Sequence, residues 1–183
     1  MTVAPAAGLR GMRDLALISA GAASGGLAAV AISMVAAVGR KRGGEEATWL
    51  HLLVLLAAMS VVLGVAALRG KAPGFARPLH LGPAILVMGG LFALAALLSW
   101  RGIEWYYLAS GLISTAIFLM ITWMLVRVSL VLYFATSTLG MVFGSLAMDQ
   151  IGAFGAPEHE ITLPRALGAL LVTVGVVVVR TGK

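Results

Sequence analysis

Charged residues are so widely spaced along this chain that five uninterrupted apolar stretches stand out, at 15–39, 47–68, 79–100, 105–126 and 128–148. Each reaches the ~20 residues that an α-helix needs to cross a hydrocarbon core about 30 Å thick, so the pattern predicts five spanning helices. A sixth stretch, 166–179, holds 14 residues and by itself stops short of a bilayer. Residues 161–164 lengthen it if Arg165 lays its stem along the helix and carries its guanidinium to the interface. Pro164 then falls in the first turn, where a missing N–H costs nothing.

The segments 39–46, 69–78 and 152–160 combine Gly, Pro and charge and are predicted to be water-exposed loops. Only Arg127 divides the fourth stretch from the fifth, which requires a very tight turn or partial unwinding of one helix near the interface. Arg10 and Arg13 precede a first stretch that ends in small residues, a pattern shared with secretion signals. That stretch is longer than a typical signal core and is followed by more membrane, so the favoured reading is an ordinary first membrane helix. The expected fold is an all-α, polytopic transmembrane helical bundle of about six helices: a short tail at 1–14, then a single transmembrane domain at 15–183.

Composition agrees with this pattern and excludes several kinds of chemistry. At 61% hydrophobic and 11% charged residues, a chain of 183 residues is too apolar for a water-soluble fold, and the lipid bilayer is its first partner. The net charge of +6 comes from scattered basic residues without interleaved aromatics, so no nucleic-acid binding is expected. With no Cys and three separated His, the sequence offers no disulfide, no metal site and no evident cofactor. In a six-span arrangement the side of the N-terminus collects Arg10, Arg13, Arg69, Lys71, Arg77, Arg127, Arg180 and Lys183, eight residues, against five on the other (Arg40, Lys41, Arg42, Arg101, Arg165). Basic residues favour the cytoplasm, so both termini are expected there.

In lipid, helices associate through close backbone approach at small residues. The fifth stretch carries Tyr133, Ser137, Gly140, Gly144 and Ala147 on one face; the fourth carries Gly111, Thr115, Phe118 and Thr122. Gly21 and Gly25 in the first, and Gly168 and Gly175 in the last, are further candidate packing positions. All seven acids lie at stretch ends or in loops, so no carboxylates converge at depth and no catalytic residue is expected. The polar groups that could border a solute pathway are Glu104, Trp105 and Tyr106 at the start of the fourth stretch, Thr115 and Thr122 within it, Arg127, and Ser137. Trp105 and its tyrosine neighbours also fit an interfacial anchor. Asp149 opposes the dipole at a helix C-terminus and calls for a compensating partner; the Gly152 to Gly155 turn could supply one by donating backbone N–H groups to the carboxylate.

Residues 140–157, followed by Ile161-Thr-Leu-Pro-Arg165-Ala-Leu-Gly168 and an apolar tail with Gly175, resemble the YdcZ-like family of small bacterial inner-membrane proteins in the drug/metabolite transporter superfamily. Asp149, Gly152, Phe154, Gly155, Ile161, Thr162, Arg165 and Gly168 match the family's last loop and helix, and Trp105 with Gly111 resembles an upstream motif. The resemblance covers about residues 79–181. Met141 stands where the family usually has Gln, Ser110 and Ser114 stand where glycines are usual, and the turn at Arg127 lacks the usual Pro or Gly. Members typically have five helices, which makes the stretch 15–39 an addition. The resemblance implies an inner (plasma) membrane transporter that moves a small solute by alternating access and works as a homo- or hetero-oligomer, with no cofactor. Sparse polarity at the midplane leaves a second reading open, a non-transporting accessory or assembly subunit.

Overall fold

The computed structural model describes residues 7–71 and 73–181, with side chains from residue 15 onward. It is 81% helical, and six of its helices are long and apolar enough to cross a membrane. They are α1 (Ala7–Arg42), α2 (Gly44–Leu68), α3 (Gly82–Ser99), α4 (Ala109–Leu125), α5 (Leu130–Gln150) and α6 (Leu163–Thr181). A 3-10 turn at Trp105–Leu108 leads into α4, and another at Ala153–Gly155 lies between α5 and α6. The chain divides into two compact units, one of residues 1–30 and 117–183, the other of 31–116.

The loop expected at 39–46 is corrected to a one-residue break. Helix α1 runs to Arg42, Gly43 turns the chain at φ 95°, and α2 begins at Gly44. The charges read as a loop complement two abutting helix ends. Arg40, Lys41 and Arg42 close α1, and Glu45 and Glu46 open α2, each favourable against the local end of the helix dipole. Arg42 and Glu46 also approach to 3.6 Å. The other two loops are present. The α4–α5 connection is a tight turn, in which the N–H groups of Arg127 and Val128 both donate to the Met124 carbonyl. Ser129 caps α5 by accepting from Leu132 N. As expected, Pro164 sits in the first turn of α6.

In the 31–116 unit, α2 and α3 pack along glycines. A Cβ added at Gly64 would lie 2.6 Å from Leu86 Cδ2, and one at Gly89 would lie 2.8 Å from Ser60 Cβ. The start of α4 lies on α2 in the same way, with a Cβ at Gly111 meeting Val54 Cβ at 2.6 Å and the His51 carbonyl at 2.9 Å. Gly111 and Thr115 therefore hold the face expected of them, but Phe118 and Thr122 on the same stripe are exposed.

In the 1–30/117–183 unit the partner of the fifth stretch is α1. Gly25 faces Ser137 and Met141, Gly140 faces Ala22, and Gly144 lies against Gly26 and Ala29. The face expected from Tyr133 to Gly144 is thus a helix contact, ending before Ala147, which is exposed. Gly168 and Gly175 do not pack against the described residues: none of their atoms lies within 4 Å of a Cβ added at either. Their spacing on α6 marks a bare helix surface.

Candidate functional site

Polar side chains inside the helix layers are few, and most bond to their own helix. In the 31–116 unit, Thr115 is buried and donates to the Gly111 carbonyl at 2.9 Å and the Leu55 carbonyl at 3.4 Å. One turn away, His51 Nδ1 and Ser110 Oγ are 3.0 Å apart. Ser110 occupies one of the positions where the resembling family usually has glycine; its hydroxyl gives a histidine inside a spanning helix a partner. That pairing is not legible from the sequence, since His51 and Ser110 lie 59 residues apart.

Glu104 precedes the turn that opens the fourth span, and both its oxygens accept from Lys41 Nζ at 2.6 Å. This hydrogen bond holds the Glu104 carboxyl below its ordinary value. Lys41 also lies 5.3 Å from the centre of the Tyr107 ring, which is buried beneath it. Trp105, by contrast, is 70% exposed, as suits an interfacial anchor. Tyr106 touches both its neighbours, edge-on to Trp105 with ring centres 6.3 Å apart and tilted against Tyr107 with ring centres 4.5 Å apart. Because the folded carboxyl is the more acidic one, its contribution is present above the unfolded pKa and is lost as pH falls through the folded pKa. The difference in thermal midpoint between wild type and Glu104→Gln should therefore be small but measurable at neutral pH and should close on acidification. A difference that persists in acid would show that the pair contributes through something other than its charge.

In the other unit Tyr133 is buried, its hydroxyl 3.3 Å from Ser24 Oγ. Thr136 is buried as well and donates to the Leu132 and Tyr133 carbonyls. Side-chain hydrogen bonds within membranes average about 0.6 kcal/mol, and Gly21 of α1 lies directly against Thr136 beside this pair. Ser137 is half-buried at the α1 contact. Thr122 is exposed and bonds only to carbonyls of its own helix. Arg127 donates to the Trp123 carbonyl and lies 4.2 Å over the centre of the Trp123 ring.

Of the seven pathway candidates, Glu104, Trp105, Tyr106 and Thr115 belong to the 31–116 unit, and Thr122, Arg127 and Ser137 to the other. Trp105 and Tyr106 touch each other; the other five make separate contacts.

The segment after α5 is a built turn. Gly152, Phe154 and Gly155 have φ of 56°, 57° and 73°. The Asp149 carbonyl accepts from the N–H groups of Gly152 and His159, at 3.3 and 2.9 Å. Gln150 Oε1 accepts from Ile161 N at 3.1 Å. The compensating partner sought for the Asp149 carboxylate is Arg165, at 3.4 Å. The expectation that this carboxylate takes N–H groups of the glycine turn is corrected: the backbone carbonyl of Asp149 does that, and the side chain reaches across to α6.

The model of a family described as "Putative inner membrane exporter, YdcZ" matches residues 79–178. The matched residues run from the end of the α2–α3 loop nearly to the end of α6 and take in the glycine turn with its Asp149–Arg165 pair. No curated protein and no solved structure matches the chain.

Proposed function

Because the chain belongs to the YdcZ family of inner-membrane proteins, we propose that it exports a small solute by alternating access and works as a paired unit. It is a multi-pass inner-membrane protein, with six helices of spanning length and apolarity. The observation that carries the transport reading is the family match across the last four helices. Both termini face the cytoplasm in this reading, on the count of basic residues.

Pairing is supported by α6. Only Ala169 and Val176 of that helix are buried, and an open apolar groove between α5 and α6 runs past Phe134, Thr138 and Gly175. A helix with bare glycines on an open face offers the close backbone approach that membrane association uses. Because the chain has no Cys, single cysteines report contacts cleanly. Gly168→Cys and Gly175→Cys should give a bismaleimide-linked dimer in membranes, whereas Val87→Cys, 65% exposed on α3, should stay monomeric. Monomer at all three positions would refute pairing through α6.

Transport is tested in reconstituted vesicles loaded with a mixture of small metabolites, with the lumen analysed by mass spectrometry. The expected result is protein-dependent loss of at least one solute. A profile identical to that of empty vesicles, obtained with protein shown to be folded, would overturn the reading and favour the accessory role.

A further inference from the structure

We propose that a basic pocket at the α4–α5 turn binds the phosphate group of an anionic ligand. The pocket holds about 200 Å³ and lies wholly within the 1–30/117–183 unit. Arg127, Ser129 and Arg180 line its polar side, and Leu17, Ile18 and Leu132 line its apolar side. No carboxylate is found among the described lining residues.

Three features point to a phosphate. First, two arginines line one small cavity, and neither forms an ion pair with a described carboxylate. Arg127 is oriented by the Trp123 ring and carbonyl, contacts that fix its fork without neutralising it. Guanidinium forks match phosphate oxygens in geometry and charge. Second, α5 starts at the pocket wall, with Ser129 Oγ taking only Leu132 N, so first-turn N–H groups of this 21-residue helix remain available for an anion. Third, the volume lies below the range of about 300–1,000 Å³ usual for whole small-molecule sites, which suits a single phosphoryl group better than a large ligand.

A phosphodiester headgroup of an anionic lipid and a free phosphate share this chemistry. The turn joins two spanning helices and so lies at a membrane boundary, on the side that carries eight of the thirteen basic residues. Basic pockets between helices at a cytoplasmic boundary are suited to anionic headgroups, and the leucine–isoleucine wall offers a surface for the first acyl carbons. The site stands independently of any transport activity.

The test is thermal unfolding of the purified full chain in neutral detergent, titrated with phosphatidylglycerol, phosphatidylcholine or inorganic phosphate at constant ionic strength. Phosphatidylglycerol should raise the midpoint more than phosphatidylcholine does. Arg180→Gln should weaken the apparent affinity about tenfold, the loss of one charge-assisted contact. Arg180 makes no side-chain hydrogen bond within the described structure, so this variant keeps the native contacts if the double variant Arg127→Gln/Arg180→Gln fails to fold. Arg180→Lys should lose less, and Arg69→Gln/Arg77→Gln, outside the pocket, should match wild type. Stabilisation by inorganic phosphate that competes with the lipid would identify a soluble ligand, and a response to lipid alone would identify the headgroup; either supports the site. An unchanged phosphatidylglycerol response in Arg180→Gln, or no preference of the wild type for any phosphate-bearing anion over phosphatidylcholine, would overturn it.

Discussion

Leucine at Gly140 is expected to abolish folding of the protein, and even alanine should destabilise it severely. A Cβ built there would overlap the Ala22 carbonyl oxygen, with the carbonyl carbon 2.6 Å and the Cα 2.8 Å away. These atoms belong to helix backbone and cannot rotate aside, so the two helices must separate. Gly25 has the reciprocal problem, its Cβ overlapping the Ser137 carbonyl and lying 2.7 Å from Met141 N. Overpacking that side chains can absorb costs about 1–3 kcal/mol; a backbone collision should exceed that range and take a large part of a total stability near 5–15 kcal/mol. Gly90→Leu and Val131→Ala are the controls, the first at a glycine with open space around it and the second at a side chain 63% exposed. Monodispersity in detergent and the unfolding midpoint measure the effect. Equal behaviour of Gly140→Leu and Gly90→Leu would show that α1 and α5 do not meet at this seam.

The spans were legible because a bilayer leaves the backbone nowhere to bond but within its own helix, so each crossing must be a long apolar run. That argument places a helix without saying what it touches. The spacing of Tyr133, Ser137, Gly140 and Gly144 marks a contact face on α5, but nothing in it names α1 as the partner. The same spacing on α4 continues past its contact with α2, since Gly111 and Thr115 are buried while Phe118 and Thr122 are exposed. Two helices in contact share only part of their length, whereas sequence periodicity has no such end. On α6 the spacing of Gly168 and Gly175 is equally regular, yet no atom of the described residues fills the space beside them.

Charge was ambiguous for a related reason. Between α1 and α2 a cluster of basic and acidic residues looks the same whether it solvates a loop or completes two helix dipoles, and a single left-handed Gly43 decides for the second. At the candidate sites, the polar pairs that form lie far apart in sequence: Ser24 with Tyr133, His51 with Ser110, Lys41 with Glu104. None can be derived from periodicity. Arg127 could be singled out as a cation between two apolar runs, but Arg180 shares its cavity only once α6 is folded beside it. By contrast the glycine turn after α5 was visible as a motif, although the atoms through which it works were not.

Those atoms set the last expected result, that Gly152→Val will be more damaging than loss of the Asp149 charge. Gly152 has φ 56°, and a Cβ there would lie 2.7 Å from Glu158 Cγ and 2.9 Å from the Ala156 carbonyl. A β-branched residue meets both the left-handed strain, about 1–3 kcal/mol, and a collision with backbone. It would pull the turn away from the Asp149 carbonyl, which accepts from Gly152 N and His159 N whatever side chain residue 149 carries. The Asp149 carboxylate contributes one 3.4 Å ion pair with Arg165, both side chains about 40% exposed, and such pairs measure ~0–1 kcal/mol. Asp149→Asn and Arg165→Gln should therefore each cost less than about 1 kcal/mol, with a double-mutant cycle showing coupling of that size. Gly152→Val should cost about 2 kcal/mol or more and impair the seating of α6, read as protease cleavage between residues 152 and 162. If Asp149→Asn is instead the more damaging change, the turn depends on the charged side chain, and the assignment of the tether to the backbone carbonyl fails.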